Sequence, residues 1–209
     1  MDREQLWDTI VGERQALTAE LATFTEQDWA TPSLCEGWTV KDVAAHVISS
    51  PQMTWRATAR LLPSMVRHGY NGMILRDGLR RGAVPTERLL ADFARWAPVR
   101  RGPATVTDVE PLIDVLVHTQ DILRPVGRHH AMPVEAVPVA GRRARTLAAL
   151  MGAAPVRRLR LVATDTDWSI GPERGPRVEG PAQELLLLLC GRPVDRAKVH
   201  GAGLEAARA

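Results

Sequence analysis

The segment EPLIDVLVHTQDIL, residues 110–123, carries apolar side chains on nearly every face of a helix, yet titratable groups sit inside it. Leu112, Ile113, Val115, Leu116, Val117, Ile122 and Leu123 surround the axis at 3.6 residues per turn. Such a helix has no face to give to water and belongs at the centre of a bundle. Asp114 and His118 are four residues apart and leave one face; Asp121, three residues further, lies on the same side. A carboxylate buried there without a partner costs roughly several kcal/mol or stays protonated. Two arrangements remove that cost: an Asp–His hydrogen bond, or a divalent cation shared by a neutral imidazole and a carboxylate, the way bundles present metals.

Two ligands do not close a metal site. The best third candidate is His46, in the apolar run VAAHVI. Its helix has a clear start, because Thr39 and Asp42 fit a capping box in which each side chain satisfies the other's backbone N–H. Taken alone, His46 also fits a core histidine with ordinary hydrogen bonds. Taken with Asp114 and His118, it makes three protein ligands and an open fourth position, the catalytic arrangement for zinc. His68 and His200 have no partner at ligand spacing, and His129-His130 falls in a linker where solvation is expected. The two cysteines, Cys35 and Cys190, form neither a disulfide framework nor a CxxC knuckle. Cys190 is expected to be a small buried hydrophobe. Cys35, flanked by Leu34 and Glu36 and eleven residues from His46, has no nearby cation in the sequence to activate it and is not expected to be a nucleophile.

Around this centre the periodicity predicts a helix with Leu6, Ile10, Leu17 and Leu21 inward that ends near Phe24, then a turn-rich connection holding Trp29 and Trp38, expected as packing anchors. The helix begun at Thr39 is expected to kink at Pro51 and resume to about Val66. A short helix from Asn71 to Arg80 follows, then one opened by Pro85 with Leu89, Leu90, Phe93 and Trp96 inward. Asp108 is expected to cap the central helix, and Pro125 to stop it. Beyond the linker GRHHAMPVEAVPV the pattern changes to a helix from Ala140 to Met151, a strand over Arg158 to Thr164, two shorter strands, a helix closed by Gly191, a short strand over 199–201 and an Ala-rich terminal helix. The fold class is therefore α plus small α+β, with a helical domain over 1–127 and an α+β domain with linker over 128–209.

The chain of 209 residues has a formal charge of +3, shared unevenly: 14 − 16 = −2 over residues 1–127 and 13 − 8 = +5 over 128–209. Only 4% of residues are aromatic, and no dense basic stripe accompanies them, so nucleic-acid binding is not expected. The arginine runs 142–145 and 157–160 are expected as solvated faces or a weak anion site. Asp165 and Asp167 are expected to do turn chemistry. The longest apolar run, Leu185 to Cys190, is far short of the roughly 20 residues that cross a bilayer, so no membrane span is expected. No leader pattern opens the chain, and a cytoplasmic location is expected. GxGxxG, P-loop, GxSxG and HExxH motifs are absent, which removes the main support for nucleotide-binding, serine-hydrolase and zincin readings.

PSLCEGWTVKDVAAHV, followed far downstream by DVLVHTQDILRPVGR, resembles the mycothiol-dependent maleylpyruvate isomerase family of the DinB-like metal-dependent superfamily. LRLVATDTDWSIG and GPRVEGPAQELLLLLCGR resemble that family's appended α+β domain. The resemblance implies a DinB-like four-helix bundle followed by a small C-terminal α+β domain. It also implies a divalent metal, typically Zn²⁺, on His46, Asp114 and His118, with Asp121 orienting His118 or a bound water. The isomerase itself is expected to have Glu where this chain has Asp114, one methylene shorter. By the same resemblance the cofactor is mycothiol, a low-molecular-weight thiol. The activity is then that of an isomerase or S-transferase on a small electrophile, an anionic one if the basic C-terminal part engages it. Two other classes would use the same ligands: a non-catalytic metal- or small-molecule-binding protein, and a metal-dependent hydrolase.

Overall fold

The computed structural model describes residues 1–150 and 153–206. They form two compact units that divide at His130/Ala131. Helices α1 (Arg3–Leu21), α2 (Glu26–Ala30), α3 (Val40–Ser49), α4 (Trp55–Ala59), α5 (Leu62–Gly82), α6 (Thr86–Trp96) and α7 (Glu110–Leu123) build the first. Within it α7 packs on α1 and α3, and α3 also meets α5 and α6. The central place predicted for α7 is what the structure shows. Eleven of its residues are buried, and the three that are not are Glu110, Asp114 and His118, one stripe at steps of four.

Local sequence explains most of the boundaries. Asp2 and Gln5 form a capping box at the start of α1, as Thr39 and Asp42 do for α3. The same signature, Thr25 with Asp28, opens the short helix α2 in what the sequence presented only as a turn-rich connection. Trp29 and Trp38 are buried in the main apolar cluster with Val43, Phe93, Val115 and Ile122, which makes them packing anchors as expected.

The segment after Pro51 departs from expectation. Instead of kinking, α3 ends at Ser49, and Ser50–Gln52 tighten into a 3₁₀ turn, since Pro51 has no N–H to continue the ladder. Thr54 then caps the separate helix α4. The long helix α5 follows, and it breaks at Gly69, whose φ of 70° only glycine adopts readily. Asp108 does not cap α7. Val109 occupies the cap position in helical geometry with no side-chain bond, and Asp108 instead takes Arg3 Nε at 2.7 Å. His130 is not a solvated linker residue. Its Nε2 stands 2.8 Å from Glu13 Oε2, while His129 is exposed.

The second unit begins with helix α8 (Val137–Leu147), a turn earlier than the expected Ala140 because Pro138 fits the first turn of a helix. Met151, the expected end, lies outside the described residues. Strands β1 (Arg160–Ala163), β2 (Ser169–Ile170) and β3 (Arg177–Gly180) form a sheet of order β2-β1-β3. β1 runs antiparallel to β2 and parallel to β3, with Leu161 opposite both Ile170 and Val178. Helix α9 (Ala182–Leu189), buried along almost its whole length, packs on β1, β3 and α8. Asp165 Oδ1 accepts the Ala182 N–H at 2.9 Å, which satisfies one orphan donor at the start of α9. Gly191 at φ 71° follows the last turn. The strand expected over 199–201 is a single bridge between Glu179 and His200, and the terminal helix is α10 (Gly203–Ala206). Arg145 and Arg160 hold backbone carbonyls, of Arg157 and Gly171 respectively.

Two contacts generate predictions. An added Cβ at Gly82 would overlap Asp42 Oδ1 and lie 2.9 Å from Asp42 Cα, so α5 can approach α3 only through glycine. Gly82→Ala is expected to destabilise the chain by about 1–3 kcal/mol in urea denaturation; a change within experimental error would mean that the two helices are not held this close. The His130–Glu13 pair raises the His130 pKa, chiefly through the hydrogen bond and against some burial. A raised pKa stabilises the fold fully below the unfolded value of about 6.5, and that gain is lost as pH rises through the folded value. The stability difference between wild type and His130→Gln should therefore be largest near pH 5–6 and shrink towards pH 9. A constant difference across this range would show that the pair is not an ion pair.

Candidate metal centre

Burial of Val43, Ala44, Val47 and Ile48 fixes the rotation of α3 about its axis, and it turns His46 toward α7. On α7 the half-buried stripe presents Asp114 and His118. The result is convergence on one oxygen. Asp114 Oδ1 lies 3.3 Å from His46 Nε2 and 3.3 Å from His118 Nε2. The ligand atoms of the three residues all fall within 4.8 Å of one another. The structure thus brings together the three residues singled out in the sequence.

Asp121 lies behind His118 and is fully buried. Its Oδ2 is 2.8 Å from His118 Nδ1. A carboxylate at that distance accepts the Nδ1 proton, so the neutral ring would offer its Nε2 lone pair on the Asp114 side. Lone pairs of Nε2 and a carboxylate oxygen facing each other repel unless a positive charge lies between them. The 3.3 Å separations equal the edge of a tetrahedron whose metal bonds are about 2.0–2.1 Å, so a divalent ion would fit between these atoms in place of a proton. Two imidazole nitrogens and one carboxylate suit zinc or another first-row divalent ion, so the donor set fits the metal that the resemblance implies.

The electrostatics agree. Burial works against the charge on Asp114, but His46 and His118 outweigh it and hold the carboxyl well below the usual range. Burial also works against charge on His118, and hydrogen bonds with Asp114, Asp121 and Cys35 override it, raising the imidazole pKa well above its ordinary value. The site is built to hold positive charge at the Nε2 end of His118.

Cys35 is where sequence reasoning missed a neighbour. Its Sγ donates to Asp121 Oδ2 at 3.1 Å and lies 3.7 Å from His118 Nδ1. The sequence shows no cation near it, yet the fold supplies an imidazole, because Gly37 at φ 80° turns the loop back and the Leu34 N–H reaches the Asp121 carbonyl at 3.3 Å. Cys35, His118 and Asp121 form a second group of possible metal donors that shares His118 with the first. The thiol nevertheless sits on the Nδ1 side of the ring, away from the convergence at Nε2. Neither cysteine is in a disulfide.

Other neighbours were also invisible locally. Trp38, fixed by its Nε1 bond to the Leu75 carbonyl at 3.1 Å, lays its ring 5.1 Å from that of His46 and 6.5 Å from that of His118. Arg14 of α1 is buried, with Nη2 on Ser50 Oγ and Nη1 on the Val99 carbonyl, while its Nε has no partner. Burial lowers its pKa to about 10, against the pull of Asp114. A cavity of about 440 Å³ opens at His46 and Asp114, between α3, α4, α5 and the start of α7. That size is within the range of small-molecule sites, about 300–1,000 Å³.

Comparison with known proteins places this geometry in context. Residues 11–123 match the family model described as the mycothiol maleylpyruvate isomerase N-terminal domain. No curated protein matches the chain. Two solved structures are similar in fold. The crystal structure of the mycothiol-dependent maleylpyruvate isomerase is 16% identical with a TM-score of 0.62, covering 97% of this chain and 93% of that one. A histidine-to-alanine mutant of that isomerase is 15% identical with a TM-score of 0.61 over the same shares. The likeness to these structures carries the fold: a helical part followed by a small sheet.

Proposed function

The chain belongs to the mycothiol maleylpyruvate isomerase family through its N-terminal domain, and from that premise we propose that it is a metal-dependent enzyme that uses mycothiol, an isomerase or S-transferase acting on a small electrophile. His46, Asp114 and His118 hold the metal, which we take to be Zn²⁺. The observation that carries this reading is the convergence of the His46 and His118 Nε2 atoms on Asp114 Oδ1 at 3.3 Å, at the edge of a cavity large enough for a ligand.

When bound, a divalent ion lowers the pKa of a coordinated thiol from about 8.5 so that it is a thiolate at neutral pH, and mycothiol supplies the sulfur. The remaining work falls to the chain. Asp121 fixes the tautomer and the ring angle of His118 by accepting from Nδ1. Asp114 contributes the one negative charge of the ligand set, which leaves a divalent ion net positive toward the open side. Trp38 covers the imidazoles, limiting water on that flank and strengthening the electrostatics. Asp114 Oδ1 is equidistant from both imidazoles, which supports direct ligation by the shorter side chain.

Cys35 stays outside the reaction in this scheme. Its Sγ faces Asp121 behind His118, and it does not line the cavity. This replaces the reason drawn from the sequence, the lack of a nearby cation, with one of position.

Purified protein should contain about one divalent ion per chain by elemental analysis. His118→Ala should reduce that sharply under metal-limited conditions, and full zinc retention would place the site elsewhere. Asp121→Asn should keep the fold but weaken metal affinity about 10–100-fold, the usual cost of losing such an orienting partner. Turnover should require added mycothiol and survive Cys35→Ser; a hundredfold loss in that variant, with metal content unchanged, would move the nucleophile into the protein.

A further inference from the structure

Resting on the function proposed above, we infer that the cavity at His46 and Asp114 selects an apolar molecule without negative charge, which makes the substrate class an uncharged, apolar electrophile. The walls are the first argument. The wall is mainly apolar, and Met53, Leu61, Leu62, Met65, Met73 and Ile74 are among its residues. Three of them are methionines, whose flexible thioethers adapt to apolar ligands of varied shape.

The charges are the second argument. The carboxyl side chains that line the cavity are Asp77, Glu110 and Asp114, of which Asp77 is paired with Arg80 and Arg81. No lysine or arginine is among the lining residues. The guanidiniums of Arg80 and Arg81 are both engaged on Asp77. Arg81 Nε holds Asp77 Oδ2 at 2.7 Å, with Nη2 against the Met53 sulfur at 3.4 Å. Arg14 is buried behind Ser50. A divalent ion held by His46, Asp114 and His118 would add positive charge at that end only, against the Asp114 carboxylate. A carboxylate entering here would give up its water, meet carboxylates and find no bidentate arginine.

A matched pair of fluorescent probes tests this directly. N-phenyl-1-naphthylamine is neutral, and 8-anilinonaphthalene-1-sulfonate is the same skeleton with one negative charge. Both are titrated into the full chain as purified, with metal content measured on the same sample and no thiol present. The neutral probe should bind at least tenfold more tightly. Ile74→Trp, which fills the cavity, should weaken it at least tenfold; Met65→Trp, at a more exposed lining position, serves the same purpose if Ile74→Trp disturbs folding. Met65→Arg, which sets a guanidinium in the wall, should shift the ratio of affinities toward the sulfonate by about tenfold. Equal or tighter binding of the sulfonate to the wild type, or a neutral-probe affinity unchanged by filling the cavity, overturns the inference. Failure of the functional reading is a separate result: metal absent from the sample refutes the metal centre while the probe preference still stands or falls by itself.

Discussion

The meeting of Asp114 with two imidazoles inside a helical bundle is the interaction on which the rest depends. A carboxylate held at that depth destabilises the fold unless positive charge faces it. His46 and His118 face it at equal distances, one from α3 and one from its own helix. The bundle has to deliver His46 to that point, and much of the surrounding structure reads as the means of doing so. The Thr39–Asp42 capping box sets where α3 starts, its apolar face sets its rotation, and Gly82 lets α5 press against it.

The two nitrogens of His118 divide the site into a supporting side and a working side. Nδ1 looks into the protein, where Asp121 and Cys35 fill the space and fix the tautomer. Nε2 looks toward Asp114, His46 and the cavity. This division explains how a cysteine can lie within 3.7 Å of a candidate metal ligand and still be outside the chemistry. It also fits the burial of α7 on every side but one: that stripe carries Glu110 and Asp114, which line the cavity, and His118, whose Nε2 meets Asp114.

Much of the site was legible locally. The spacing of Asp114, His118 and Asp121 follows from helix geometry alone, and an apolar helix carrying them had to be central. The capping box before His46 was equally plain, and its twin at Thr25 and Asp28 was available as the signal for α2. The residues that escaped were those whose role comes from distant parts of the chain. Cys35 is 83 and 86 residues from the partners it meets, and Arg14 is 36 from Ser50. The segment after Pro51 escaped for another reason. Its apolar pattern is compatible with one kinked helix or several short ones, and the choice turned on the backbone at Thr54 and Gly69.

Periodicity and capping act within a few residues, so the sequence by itself determined the order of elements, the burial of α7 and the face shared by Asp114, His118 and Asp121. Long-range packing acts between segments that carry no local record of each other. Only the tertiary structure decided that His46 converges on the same oxygen as His118, that Cys35 lies behind the ring, and that the cavity wall is mainly apolar and carries carboxyl groups but no lysine or arginine. Those facts depend on distances between helices, and these are set by where glycines, tryptophans and methionines let the backbones approach.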